Sequence, residues 1–68
     1  MAELLFIVED APESGYTAKA LGYSIYTEAD SLDELKAMIR DAVSCHFEEH
    51  ERPKMIRLHY LHEEVIAA

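Results

Sequence analysis

Residues 31–47 read SLDELKAMIRDAVSCHF, and this stretch decides the fold because it has the pattern of one amphipathic helix. Apolar side chains recur at spacings of three and four, which places them along one stripe of a 3.6-residue helix. Ser31 is a good N-cap, and Glu34 three residues later completes a capping box. We therefore predict a helix over Ser31–Phe47 with a single apolar stripe. The stripe consists of Leu32, Leu35, Met38, Ile39, Ala42, Val43 and either His46 or Phe47.

A helix with one apolar stripe needs a flat apolar surface to pack on, and the rest of the chain has the pattern of strands. The strands are predicted at Leu4–Val8, Tyr16–Leu21, Tyr23–Thr27 and Met55–Leu61. The first is an unbroken apolar run, which is typical of a strand covered on both faces. In the second, Ala18 and Ala20 share one face and leave room for a helix to lie close. Gly22 marks a turn, and residues 62–68 either extend the last strand or form a helical turn.

The order β-β-β-α-β indicates how these elements assemble. Short connections make the first three strands an antiparallel meander, and the helix is a crossover that returns the chain to a parallel strand. The first strand is the most apolar, so we place it centrally with the fourth strand beside it. The prediction is an α/β (α+β) two-layer sandwich, with a mixed sheet in the order 3-2-1-4 and one helix on one face. We expect one domain over residues 1–68.

One helix covers one face of such a sheet, which leaves the other face open. The apolar run in the first strand would expose side chains on that face, and large exposed apolar patches are uncommon in true monomers. We therefore predict a homo-oligomer, either a dimer or a tetramer, or a partner protein on the open face. For Arg57 and His59 at this face, ordinary solvent exposure is an equal alternative. The predicted interface residues are Leu5, Ile7, Lys19, Met55, Arg57, His59 and Leu61.

The formal net charge of −8 over 68 residues limits the classes of partner. It argues against binding of a nucleic-acid backbone, because such binding depends on Lys and Arg. It suits a basic protein partner, although a role in solubility is an equally good explanation. No apolar run approaches the length of a membrane span. The single Cys45 cannot form an internal disulfide, which favours a reducing, cytoplasmic compartment, and we expect its thiol to be buried or half-buried.

Catalytic and metal-binding patterns are weak in this chain. His46 and His50 are four residues apart, so on a continuous helix both could reach one metal ion, but no third or fourth ligand stands at a defined spacing. No carboxylate stands in the middle of the first strand, and a metal-dependent nuclease would need several carboxylates that converge. We therefore predict no enzymatic activity, no cofactor and no metal site.

A set of turn and cap residues carries a resemblance to a known family. In chain order these are Gly15-Tyr16, Ala18, Gly22, Thr27, Asp30-Ser31-Leu32, Glu34 and Ala42. Their order and spacing resemble the HicB-like antitoxin family, in particular its short stand-alone members. The resemblance implies a truncated RNase H-like fold and an antitoxin that occludes a small basic ribonuclease toxin, HicA. Because the C-terminal DNA-binding segment of full antitoxins is missing here, it implies no direct DNA binding. The alternative is a small homo-oligomeric ligand- or metal-binding protein with no toxin partner.

Overall fold

The computed structural model describes residues 2–68 and has the predicted β-β-β-α-β order. The elements are β1 (Glu3–Asp10), β2 (Tyr16–Ala20), β3 (Tyr26–Ala29), α1 (Leu32–His46) and β4 (Met55–Leu61). They form one four-stranded sheet in the order β3-β2-β1-β4. β4 runs parallel to β1, and the other neighbouring pairs are antiparallel. The prediction of a mixed sheet with one helix, an α+β fold, is confirmed.

Helix α1 begins and ends where the sequence pattern predicts. The Ser31 hydroxyl oxygen accepts a hydrogen bond from the backbone N–H of Glu34 at 3.1 Å, which satisfies one of the free donors of the first turn. At the other end, Phe47 adopts an extended conformation. The buried residues of the stripe are Leu35, Ile39 and Val43. These three side chains and the buried alanines of β2 belong to one apolar core.

The third strand is the main correction to the sequence-based prediction, because it begins at Tyr26 and not at Tyr23. Gly22 has φ +85° and turns the chain after β2. The ring of Tyr23 then packs edge-on against Phe47 and His46, with ring centroids 5.1 and 5.8 Å apart. This tyrosine contributes to the contact with the end of α1 and not to the sheet, so its strand propensity is misleading here.

The side chains of β1 alternate between the two faces of the sheet. Leu4, Phe6 and Val8 are buried on the side of α1. Leu5 and Ile7 lie on the opposite side and are half-buried by their neighbours in the sheet. We call this opposite side the open sheet face. That another chain covers the open sheet face stays a prediction.

The helix covers its own side of the sheet unevenly. It packs chiefly against β3 and β2. On β4, Ile56 and Leu58 are therefore only half-buried, and Tyr60 is exposed. The space between α1 and β4 is a cavity of about 450 Å³, open to solvent.

The remaining segments are short. A single 3₁₀ turn, Glu49–Glu51, lies in the connection between α1 and β4, and residues 62–68 are neither helix nor strand. Within residues 2–68, α1 is too short and too polar to cross a lipid bilayer.

Candidate protein-interaction surfaces

The strand register places all the predicted interface residues on the open sheet face. Leu5 pairs with Arg57, and Ile7 pairs with Lys19 on one side and His59 on the other. Directly paired residues of neighbouring strands project to the same face. The face therefore includes Leu5, Ile7, Lys19, Met55, Arg57, His59 and Leu61 together. Whether it is an interface stays a prediction.

Two large apolar side chains on this face were not among the predicted interface residues. Leu21 lies just beyond β2, donates its backbone N–H to the carbonyl of Leu5 and is 62% exposed. Tyr26 pairs with Lys19 and is 60% exposed. Tyr26 lies within the predicted third strand, but its partners in the sheet could not be assigned because that strand was predicted to begin three residues too early. With these two, the open sheet face extends across all four strands.

An ion pair marks the end of the open sheet face at which β1 and β4 begin. The guanidinium of Arg57 lies 2.9 Å from a carboxylate oxygen of Glu3. The hydrogen bond from Arg57 holds the pKa of the Glu3 carboxyl below its usual range, and the same hydrogen bond raises the pKa of Arg57. Both groups are exposed to solvent, so this pair orients two side chains and contributes little to the free energy of folding.

The opposite end of the molecule is strongly acidic. The loop after β1 and the junction of β3 with α1 meet there, because Asp10 pairs with Tyr16 and Tyr16 pairs with Ala29. Neither residues 9–15 nor residues 28–34 contain Lys or Arg. We call this end the acidic pole. Its exposed carboxylates, half of the chain's 14, belong to Glu9, Asp10, Glu13, Glu28, Asp30, Asp33 and Glu34.

The cavity between α1 and β4 has the opposite charge. Its apolar lining comes from Ile39, Pro53, Ile56 and Leu58, and its cationic lining from Lys36, Arg40 and Lys54. These cations are half of the six Lys and Arg residues of the chain. We call this cavity the basic groove. No local sequence pattern predicts this groove, because it depends on how far α1 lies from β4 across the sheet.

The histidines do not form the pair that a continuous helix would make. α1 ends at His46, so His50 lies in the 3₁₀ turn and the helical relation between the two is lost. The nitrogens of His50 instead lie 3.9 and 3.4 Å from carboxylate oxygens of Glu48 and Glu51. These three side chains could approach one metal ion, but all are exposed.

The prediction for the single thiol is wrong. Cys45 is exposed, because it projects from α1 away from the stripe that contains Val43. A residue two positions from a buried one points to a different side of a helix. The thiol is free, as expected for the one cysteine of the chain.

Comparisons with known proteins give two relatives with the same description. A "UPF0150 protein" of Archaeoglobus fulgidus is 62% identical over 52 residues, which cover 76% of this chain and 77% of the relative. A "UPF0150 protein" of Thermotoga maritima is 40% identical over 65 residues, which cover 96% of this chain and 91% of the relative. No protein-family model matches the chain, and no solved structure matches it significantly. Because both relatives are well above 30% identity and align with most of the chain, the protein belongs to the UPF0150 family.

Proposed function

We propose that this protein is a non-enzymatic protein-binding module that acts as a HicB-like antitoxin. It docks on a small basic ribonuclease and shields the catalytic and RNA-binding groups of that toxin. The observation that carries the proposal is the acidic pole, where exposed carboxylates from two loops, two strands and a helix start lie together without a neighbouring Lys or Arg. A surface of one sign attracts a partner of the opposite sign and speeds encounter.

The open sheet face complements this surface as a contact between copies of the chain. Its centre, at Leu5 and Ile7, is apolar, and exposed Leu21, Met55 and Tyr26 surround it. A face of this kind buries apolar area when two copies associate. We propose that homo-oligomers form through this face. In that arrangement Glu9 and Glu28, which share the open sheet face, lie at the contact, and the other carboxylates of the acidic pole stay available to the toxin. A cytoplasmic location, where a free exposed thiol is kept reduced, fits the same proposal.

The proposal is tested with a purified HicA-type ribonuclease and two variants of matched charge. In the first, Glu13→Lys and Asp30→Lys reverse charges at the acidic pole, at residues outside the open sheet face. In the second, Glu48→Lys and Glu49→Lys make the same change in net charge beyond the far end of α1. All four side chains are exposed, so both variants should fold.

We expect the pole variant to lower the association rate with the toxin on the order of tenfold at low salt, while the distal variant keeps most of the wild-type rate. Stopped-flow fluorescence at two ionic strengths measures both rates. A wild-type chain that neither binds the ribonuclease nor inhibits its cleavage of RNA would refute the antitoxin proposal. Equal slowing by the two variants would refute the role of the acidic pole.

A further inference from the structure

The last residues of the chain carry side chains that the rest of their own molecule does not cover. Residues 62–68 read HEEVIAA and follow β4 without regular structure. Val65 is 96% exposed and Ile66 is 85% exposed. The molecule is 52 Å long but only 19 Å wide, whereas an eight-residue strand spans roughly 26 Å, so the tail projects beyond the sheet. Two adjacent branched apolar side chains in water make this segment a candidate for burial elsewhere.

Beyond His62 the tail is badly placed electrostatically in its own molecule. It leaves β4 beside the acidic pole, since Leu61 pairs with Glu9. A ring nitrogen of His62 lies 2.9 Å from a carboxylate oxygen of Asp10, which is a favourable contact, but the carboxylates of Glu63 and Glu64 follow directly. Like charges at this end repel one another, so there is an electrostatic gain when the tail moves to a positive surface.

The basic groove offers the apolar surface and the positive charge that the tail does not contact in its own molecule. Its floor includes the half-buried side chains of Ile56 and Leu58, which can contact branched apolar side chains. Its cations are Lys36, Arg40 and Lys54, and within residues 2–68 none of them forms an ion pair. The groove therefore matches an acidic segment followed by an apolar one, which is the order of residues 63–66.

A tail cannot readily reach the groove of its own molecule, because the groove and the tail lie at opposite ends of β4. The groove includes Pro53 and Lys54, which precede β4, whereas the tail leaves from Leu61 at the other end of that strand. A seven-residue strand is roughly 23 Å long, and the tail would have to reverse completely to return along it. β4 is, however, an edge strand with a free hydrogen-bonding side. When two copies approach with their β4 strands antiparallel and offset along the chain, each tail runs along β4 of the other copy from Leu61 towards Lys54.

We propose that the basic groove binds residues 62–68 of a second copy of this chain, so that two copies exchange tails reciprocally. Each tail lies along the free edge of the other copy's β4, as in strand addition. Glu63 and Glu64 meet the end of the groove nearer Lys36, and a branched side chain of Val65 or Ile66 packs on its floor at Leu58 and Ile56. This contact is separate from the open sheet face, and it does not require a toxin.

A charge-swap experiment tests the exchange. The tail variant carries Glu63→Lys and Glu64→Lys, and the groove variant carries Lys36→Glu and Lys54→Glu. The tail variant alone has a positive tail and a positive groove, and the groove variant alone has an acidic tail and two acidic side chains in its groove. In a mixture, the positive tail can bind the acidic groove and the acidic tail can bind the positive groove. The distal variant described above is the matched control, because it changes the net charge of the chain as the tail variant does.

Sedimentation velocity measures the assembly mass, and circular dichroism establishes that each variant is folded. We expect each swap variant alone to form a smaller assembly than wild type, because its association through the tails is weakened on the order of tenfold or more. The mixture of the two variants should regain the wild-type mass. The control should keep that mass. Three results would overturn the proposal: a monomeric wild type at micromolar concentration, swap variants that assemble as wild type does, or a mixture that fails to recover.

Discussion

The two glycines of this chain form a matched pair for measuring a steric contact at the acidic pole. Gly15 has φ +84° and Gly22 has φ +85°, so both lie in the left-handed region that disfavours a side chain. They differ in their surroundings. A Cβ on Gly15 would lie 2.5 Å from the backbone oxygen of Ala29, whereas a Cβ on Gly22 would meet nothing within 4 Å. Alanine substitutions at the two positions therefore separate backbone strain from collision.

The magnitudes follow from these surroundings. The left-handed conformation costs an alanine roughly 1–2 kcal/mol, and the loss of freedom in the unfolded chain offsets about 0.4–1 kcal/mol of that. Gly22→Ala should therefore lower the free energy of unfolding by roughly 0–1.6 kcal/mol. Gly15→Ala adds a collision with backbone atoms, which cannot rotate away, and overpacking of this kind costs about 1–3 kcal/mol. We expect it to lower the free energy of unfolding by roughly 1–4.6 kcal/mol in total.

Thermal unfolding followed by circular dichroism gives the comparison. In a domain of this size each kcal/mol shifts Tm by about 4–8 °C, so the two variants should differ by roughly 4–24 °C. Urea unfolding checks that the slope of the free energy against denaturant is unchanged. Equal Tm values for the two variants would refute the reasoning, because they would show that the loop between β1 and β2 does not contact the end of β3 at Ala29 as described. A larger loss at Gly22 would refute it as well.

Three further outcomes are expected. Ser31→Ala removes the hydroxyl that accepts from Glu34 and should lower the free energy of unfolding by about 0.5–2 kcal/mol in urea titrations, whereas Ser31→Asp should retain most of it. The Thr27 hydroxyl is buried and has no hydrogen-bond partner within residues 2–68. Thr27→Val should therefore raise the free energy of unfolding measured by calorimetry by about 1 kcal/mol, and a lower free energy would show that the hydroxyl is hydrogen-bonded. The pKa of Glu3 is held down by Arg57, so its contribution to stability is complete above the unfolded-state pKa and is lost as pH falls through the lower folded-state pKa. An NMR titration should show this pKa rising in Arg57→Gln, and an unchanged value would contradict the assignment.

The elements that could be predicted are those whose signals are local. The helix was predicted within one residue at each end, because the cap at Ser31 and the spacing of the apolar stripe act within a few residues. β4 was predicted over its full length, Met55–Leu61, from simple alternation. The central position of β1 followed from its apolar run. Alternation also predicted which side chains of β4 share a face, whereas the unbroken apolar run of β1 did not show which of its faces meets the helix.

What could not be predicted depends on contacts between elements. Tyr23 has the propensity of a strand residue, but its ring packs against the end of α1, and no local rule distinguishes the two uses. The acidic pole is visible as charge in the sequence, but only antiparallel pairing brings Asp10 and Ala29 to the same end. The basic groove exists because α1 lies over β2 and β3, and periodicity does not specify the lateral position of a helix on a sheet.

The pairing of β1 with β4 has a consequence for how the molecule forms. β1 is central in the sheet, yet one of its two neighbours is the last strand along the chain. The meander and α1 join residues close in sequence and can form early, whereas the parallel pair requires closure of nearly the whole chain before any of its hydrogen bonds is made. We therefore expect folding to be limited in rate by the arrival of β4. Until then, one side of an intensely apolar strand is unpaired during synthesis, and this interval is when the nascent protein is most prone to aggregate.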